Sequence, residues 1–600
     1  MKKVLSILLL FTVPVLNLAQ KTWNDAQITG KDIKAHIYYL ASDEMKGRFT
    51  GTDEERLAAE YIKDQFQKSG LKPLLNGSYF QDFPFIEKIE LTGSNKLNLE
   101  IKGENKSLQL KTDFITAPFS GKAELSSGLV FAGYGISAPR LNYDDYEGLD
   151  VKGKVVLAMR YHPEHDSAKS EFDRYSSYRQ KASAARDKGA AGIIFFNGLL
   201  PRNDEDQLME LRYDGAGSIQ DFAVIQVKRN IIEEILKAEG QDLAALQKKI
   251  DDSRKPKSFA LNSTKASLAT NVREVQSTGR NVIGFIEGSD PQLKNEYIVM
   301  GAHYDHLGID HLKTSSMYKG NEPQIHNGAD DNASGTTGLM ELAEKFGADK
   351  NDLKRSLIFI AFSGEELGLL GSSFFTNNSP VQISSISAML NMDMIGRLSD
   401  DKALTVIGAG TSSIWKNLLN DKNRYNFKLA LSDGGSGGSD HQAFTNKNIP
   451  VLFFFTGTHN DYHKPSDDAD KINYTGQEEV VNYVYEIANT IQGRADKPDF
   501  VKVEEPAQRS VPRSRVTVGT VPEFGYNGNG YKVSGVTEGG PAAKAGMQSG
   551  DIIVKFGAKT VNNIYDFMYA MGEFSPGDKV DVIVLREGKE VKLNLELTTK

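Results

Sequence analysis

Five separated stretches of this chain carry side chains that bind hard metal ions or move protons: His303-Tyr-Asp305, Gly328-Ala-Asp330-Asp331-Asn-Ala-Ser-Gly335, Ser363-Gly-Glu365-Glu366, Asn391-Met-Asp393-Met394 and Tyr462-His463. His303 and Asp305 are two apart, so on extended chain they point the same way. Asp305 can then accept a hydrogen bond from a neighbouring histidine or orient the His303 ring. Adjacent Glu365 and Glu366 point to different sides unless the chain turns, which lets one bind metal while the other faces a substrate. Two carboxylates with separate tasks are the pattern used in acid–base catalysis. Two cations held close together need a shared carboxylate, and an aspartate in a tight glycine-flanked turn suits that task. The chain has no cysteine, so disulfides and thiolate ligation are excluded and any metal must rest on His, Asp and Glu.

Four of these stretches stand at or just after apolar runs, in EYIVMGAHYD, SLIFIAFSG, ISAMLNMDMIG and IPVLFFFTG. With ALTVIGAG, the runs alternate with helical segments from about residue 280. Such runs, apolar throughout, predict an α/β core: a mixed, largely parallel sheet buried between helices. In such sheets the working site lies beyond the carboxyl ends of the strands, where these ligands fall. Near the N-terminus, DIKAHIYYL and DEERLAAEYIKDQFQ read as two helices joined through GRFTG. The second should pack through a face carrying Leu57, Tyr61, Ile62, Gln65 and Phe66.

Six hundred residues, 39% of them hydrophobic, imply roughly three or four domains. A net charge of −8, from 71 Lys and Arg against 79 Asp and Glu, offers no basic excess for nucleic acid. Residues 1–19 of MKKVLSILLLFTVPVLNLAQ read as a cleavable secretory signal, and no later run is apolar and long enough to span a bilayer. The expectation is an exported chain, periplasmic or extracellular. Composition divides the remainder into a core over 20–111 and 271–495, a β-rich insert over 112–270, a charged, proline-containing linker over 496–513 and a small domain over 514–600. No solenoid repeat and no phosphate-binding G-x-x-x-x-G-K-[ST] occurs.

Taken together, the five motifs resemble those of the family-28 zinc metallopeptidases, the co-catalytic aminopeptidases and their glutamate-carboxypeptidase relatives. The resemblance implies a phosphorylase/hydrolase-like core holding two Zn2+ ions. Asp331 would bridge them, with a cis peptide after it, and Asp330 would only line the turn. His303 and Asp393 would complete one site, Glu366 and His463 the other. Glu365 would be the general base, Asp305 would serve catalysis from behind His303, and Tyr462 would donate to the developing oxyanion. The substrates implied are peptides, cleaved from the amino end. Carboxypeptidase, dipeptidase and cyclase activities share the fold, and the family includes inactive receptors, against which the retained Glu365 and five ligands argue.

FAGYGISAP, YEGLDVKGKVVLAMR and KASAARDKGAAGIIFFN resemble a protease-associated (PA) domain, and Gly539-Gly-Pro-Ala-Ala-Lys-Ala-Gly-Met547 with Ser549-Gly-Asp-Ile-Ile-Val resembles a bacterial-type PDZ domain. Gly530 and Tyr531 would then lie in the loop that catches a peptide's C-terminal carboxylate. His306, His311 and His326 read as exposed loop histidines. Gly434-Gly-Ser436-Gly-Gly438 matches G-x-S-x-G and Asp440-His441 follow, but the serine sits in a glycine-rich loop rather than on a strand-to-helix elbow, which argues against a serine nucleophile.

Overall fold

The computed structural model describes residues 26–600, apart from 166–169, 201–205, 214–216, 310–314, 321, 504–515, 523–528, 538, 562–566, 568–569, 572–573, 575 and 600. Residues 1–19, read above as a secretory signal, and His311 lie outside the described residues. No helix among those described is long and apolar enough to cross a membrane.

The core is a nine-stranded mixed sheet. At its centre Ser356–Phe362, Tyr297–His303, Ile386–Met392 and Val451–Phe455 run parallel. Each is predominantly apolar and buried on both faces, as central parallel strands must be. Antiparallel pairing begins at the flanks: Val272–Ile286 joins one side and Ala403–Ile407 the other. Helix Gly335–Ala348 is buried almost all round, while Tyr474–Gly493 buries one face on the same core.

Both N-terminal helices form. Thr29 caps Gly30–Leu40, accepting from the Asp32 amide, and Thr52 caps Asp53–Lys68, accepting from the Glu55 amide. The packing face of the second helix differs from the sequence expectation. Glu55, Ala58, Ala59, Ile62 and Phe66 are buried, whereas Leu57 is 54% exposed. The stripe 55–58–59–62–66 follows the helical period, and the charge inside it is met by polar partners: Glu55 Oε1 accepts from Tyr304 Oη at 2.8 Å and from the Arg280 amide at 3.1 Å.

A second sheet, of eight strands, forms the insert. It takes in Lys96–Ile101 and Glu104–Ser107, which the sequence reading had left with the core. Leu97, Leu99 and Ile101 alternate inward into the insert's own apolar cluster and pair with Phe259–Thr270, so period and register both draw them there. The two sheets are joined through a long antiparallel arm, Phe80–Leu91 against Val272–Ile286. The expected linker also starts pinned to the core: Asp499 Oδ1 accepts from Ser412 Oγ at 2.7 Å, and the Val501 amide donates to Thr411 O at 2.8 Å. The C-terminal domain has a separate core around Tyr531, Val533, Phe556, Val582 and Leu595.

Two predictions follow from the second helix. Phe66, fully buried against the sheet, should cost about 3–5 kcal/mol on truncation in Phe66→Ala, while Leu57→Ala should stay within about 0.5 kcal/mol, both read by denaturant unfolding. Burial pushes the Glu55 carboxyl from its ordinary 4.5 up to about 7, against the Tyr304 hydrogen bond. The folded state therefore holds that proton more tightly than the unfolded chain. Stability is undiminished below about 4.5 and falls as pH rises to about 7, so the stability of Glu55→Gln relative to the parent should climb across that window and be level on either side of it.

Candidate active site

Beyond the carboxyl ends of the four parallel strands the five motifs come together. His303 is the last residue of its strand, and its Nε2 lies 3.4 Å from Asp331 Oδ1 and 3.4 Å from Asp393 Oδ1. On the other side of Asp331, His463 Nε2 lies 3.2 Å from Asp331 Oδ2 and 3.4 Å from Glu366 Oε2. Asp331 thus presents one carboxylate oxygen to each histidine.

The donor set suits a pair of cations. Among the described residues, His303, Asp331 and Asp393 form one cluster of ligand atoms lying within 4.8 Å of one another, and His306, Asp331 and Glu366 form a second. Asp393 Oδ1 and Glu366 Oε1 are buried without a hydrogen-bond partner, a costly arrangement unless a cation meets them. Imidazole nitrogens with carboxylate oxygens and no thiolate are a zinc-type set.

Burial would depress the His303 pKa, but the charges of Asp393 and Glu365 outweigh it and raise it well above 6.5. His463 is likewise raised, to about 9: burial opposes the shift, and Glu366 and Asp331 more than offset it. Burial would raise Asp331, yet hydrogen bonding to His303 and His463 holds it well below the usual carboxylate range. Glu365 moves the other way. Burial, with Glu366 and Asp393 nearby, raises its carboxyl well above 4.5 despite His303.

Much of this geometry is fixed through the backbone. The Asp331–Asn332 peptide is cis. Asn332 Oδ1 accepts from the Gly335 and Met394 amides at 2.8 and 3.2 Å, tying the turn both to the helix it opens and to the strand end carrying Asp393. Asp467 Oδ2 accepts from the Asp330 and Asp331 amides at 2.9 and 3.0 Å. Asp330 is turned away from the metal side: its Oδ1 accepts from the Gly396 amide at 2.7 Å and its Oδ2 lies 3.1 Å from His459 Nε2. Gly328 has φ of +58°, and a side chain there would strike both Asp331 O and the His306 ring.

Arg48 is fully buried and spends its guanidinium on carbonyls. It donates to Tyr304 O at 2.8 Å, Asn327 O at 2.8 Å, Gly328 O at 3.1 Å and also Leu40 O. One side chain from the N-terminal segment therefore braces the two turns that carry His303 and Asp331. The sequence reading missed Arg48, Asp467 and Asn332 as site residues. Local signals existed only for Asn332, inside its motif, because Arg48 acts across 256 to 280 residues of chain and Asp467 across 136 and 137.

Asp305 sits behind His303 in an unexpected manner. Its carbonyl, at 3.2 Å, is nearer His303 Nδ1 than its carboxylate, at 3.6 Å. The carboxylate instead accepts from Thr50 Oγ1 at 2.9 Å and from the Glu365 amide at 3.2 Å, so it also holds the backbone of the neighbouring glutamate. The Tyr462 ring stacks on His463 at 3.9 Å and packs with Met394, Phe453 and Phe455.

Two of the histidines expected to be exposed are buried. His326 Nε2 pairs with Ser316 Oγ at 2.8 Å, and His306 Nδ1 lies 2.7 Å from Glu366 Oε1. The loop carrying His306 turns inward because the Tyr304 carbonyl is held by Arg48, and the His306 amide also points to Arg48 O at 3.4 Å. Ser436 is exposed, while Asp440 and His441 are buried with the His441 ring against Phe453 at 4.7 Å. In the small domain Gly530 has φ of +113°, but Tyr531 opens strand Tyr531–Val536. Its ring is buried against Phe567 at 4.1 Å, so its side chain belongs to the domain core rather than to a ligand-facing loop.

Residues 281–488 match peptidase family M28, residues 122–235 the PA domain and residues 509–597 the PDZ domain. The chain is 25% identical over 393 residues to aminopeptidase YwaD of Bacillus subtilis (strain 168), covering 63% of this chain and 71% of that protein. It is 25% identical over 452 residues to the probable leucine aminopeptidase 2 of Trichophyton verrucosum (strain HKI 0517), covering 71% and 73%. Among solved structures it is similar to BSAP, a zinc aminopeptidase from Bacillus subtilis, with a TM-score of 0.44 and 23% identity over 80% of this chain and all of that one.

Removing the brace should loosen the site. Arg48→Met takes the guanidinium donors from the Tyr304 and Asn327 carbonyls, while Gly328 O keeps the Ala333 amide, and is expected to cost about 2–5 kcal/mol in thermal unfolding and to lower the metal retained after dialysis, measured by elemental analysis.

Proposed function

We infer that this chain, which carries a family M28 peptidase domain together with PA and PDZ domains, is a zinc aminopeptidase that uses two ions and a glutamate base. The observation that carries the reading is Asp331, whose two oxygens face His303 and His463 at 3.4 and 3.2 Å, with Asp393 beside the first and Glu366 beside the second. Those five residues would hold the two ions. Zinc bound there supplies Lewis acidity toward a peptide carbonyl and lowers the pKa of a nearby water.

The remaining chemistry belongs to the protein. Glu365 stands next to the ligand Glu366, and its raised pKa favours holding a proton between two steps. It takes that proton from water as the new C–O bond forms at the scissile carbonyl, and gives it to the amide nitrogen as the C–N bond breaks. Asp305 keeps both His303 and the Glu365 backbone in place. The Tyr462 hydroxyl would donate to the oxyanion, held near the site by its stacking on His463. A pocket rich in carboxylates suits the ammonium of a free N-terminus, and the relatives named above are aminopeptidases. The PDZ domain would hold a peptide by its C-terminal carboxylate, with the Gly530 backbone rather than the Tyr531 side chain available to it. Export through the segment at 1–19 is part of the same reading.

The purified chain should cleave peptides with free N-termini and leave N-acetylated copies intact, losing activity to a chelator and regaining it with zinc. Release from the carboxyl end, or equal cleavage of blocked peptides, would point to another exopeptidase. Glu365→Gln should retain bound zinc while kcat falls about 10²–10⁴-fold. Unchanged kcat would remove Glu365 from the base role.

A further inference from the structure

Glu55 is fully buried in the first turn of helix Asp53–Lys68, beside Tyr304 and Ser363 from just beyond two strand ends and beside the backbone of Arg280. The charged groups that face it are Asp305, Arg56 and Arg280, and the Arg280 guanidinium is spent on Asp82 at 2.6 and 3.0 Å. Neither arginine pairs with Glu55. The Tyr304 hydroxyl, also fully buried, has one proton and two oxygens within reach: Arg280 O at 2.6 Å and Glu55 Oε1 at 2.8 Å. An ionised Glu55 can only accept from that hydroxyl, which takes the proton away from Arg280 O. A neutral Glu55 donates to it instead, and both contacts are then satisfied. Glu55 Oε2 is buried without a hydrogen-bond partner, which suits the carbonyl oxygen of a neutral acid better than one end of an anion.

We propose that Glu55 works as a neutral acid and is a positioning residue for Glu365, acting through Tyr304 and Asp305. The inference rests on the aminopeptidase reading given above, with Glu365 as its base, and adds a residue that touches neither metal ligand nor substrate. Tyr304 lies between His303 and Asp305 in the chain, its amide donating to Phe362 O at 2.9 Å and its carbonyl accepting from Arg48 Nε at 2.8 Å. Its hydroxyl is the third fixed point. Asp305, next along, accepts from the Glu365 amide at 3.2 Å and from Thr50 Oγ1 at 2.9 Å, and Ser363 Oγ lies 3.4 Å from Thr50 Oγ1.

Loss of the Glu55 proton draws the Tyr304 hydroxyl off Arg280 O and sets a second buried anion facing Asp305. Repulsion between the two carboxylates then works against the Asp305 contact that holds the Glu365 backbone. Substrate binding is untouched by this change, so it falls on kcat rather than on KM.

The test is a pH profile of the zinc-loaded full chain on an aminoacyl-anilide, beside Glu55→Gln and Glu55→Asp. The parent's kcat is expected to fall on the alkaline side. In Glu55→Gln, whose amide donates to Tyr304 at every pH, the midpoint of that fall should rise by about one pH unit or more, with KM level. Glu55→Asp keeps an acid of lower ordinary pKa, so its midpoint should drop, and it carries the test if the amide variant does not fold. Midpoints unchanged from the parent, or an equal loss of kcat at every pH, would overturn the positioning role and leave Glu55 a structural acid. Infrared difference spectra of the metal-free parent against either variant should show a protonated-carboxyl band that is absent from the amide and displaced in the aspartate. Lack of that band overturns the neutral acid without any turnover being measured. A parent that holds zinc but cleaves no anilide overturns the aminopeptidase reading instead, and the positioning role with it, while the infrared band still decides the protonation of Glu55.

Discussion

The structure is organised around a carboxylate that cannot stand alone. Asp331 is buried at the junction of the turn and the central helix, with a histidine on each side and further acids within a few ångströms. Clustering ionised carboxylates in an interior of low polarity is unfavourable unless positive charge is brought to them. The imidazoles answer part of that demand, which is why His303 and His463 are driven toward protonation and Asp331 away from it. A divalent cation answers it better, and the same electrostatic demand that raises the histidine pKa values suits the cluster to one.

Holding such a cluster open against its own repulsion falls to side chains that spend their polar atoms on the backbone around it. Arg48 gives its hydrogen bonds to carbonyls, not to carboxylates, so it fixes the path of the turns without competing for the ligands. Asp467 and Asp330 take up backbone amides beside Asp331 and Asp393. Asn332 joins the turn to the neighbouring strand end. Each bond is one a rigid scaffold can supply, and together they fix the Asp331 turn against the loop after His303 and the strand end carrying Asp393.

What the sequence made legible follows from locality. Strands apolar on both faces leave little choice about where they lie, so the sheet and the edge at which His303, Glu365, Asp393 and His463 emerge could be read from runs such as SLIFIAF and VLFFF. The face of the second helix was misjudged because Leu57 looks like core by residue type and Glu55 does not. Glu55 is buried because Tyr304 and Arg280 offer hydrogen bonds from residues more than two hundred positions away. His306 was misread for the same reason: a histidine in a loop is usually wet, and only the Arg48 contacts with Tyr304 and His306 show this loop turned inward. Strands 96–101 and 104–107 went to the wrong sheet because composition does not reveal a pairing partner that lies beyond residue 258.

The separate cores of the insert and of the small domain bear on how the site can be elaborated without being disturbed. Apolar clusters on the two faces of the insert's sheet are closed by its own helices and strands, and the C-terminal domain buries its aromatics within itself. Neither needs the nine-stranded sheet to satisfy its hydrophobic surface, so either can vary without opening a cavity beneath the His303–Asp331 cluster. The insert's attachment is different in kind from a flexible tether: Phe80–Leu91 and Val272–Ile286 pair along nearly their whole length, and the second continues into the core sheet beside Ser356–Phe362. That strand pairs directly with the one whose end leads to Glu365 and Glu366. A backbone ladder therefore runs from the insert's entry point to the edge that carries the proposed base, which is a stiffer connection than side-chain contact would give.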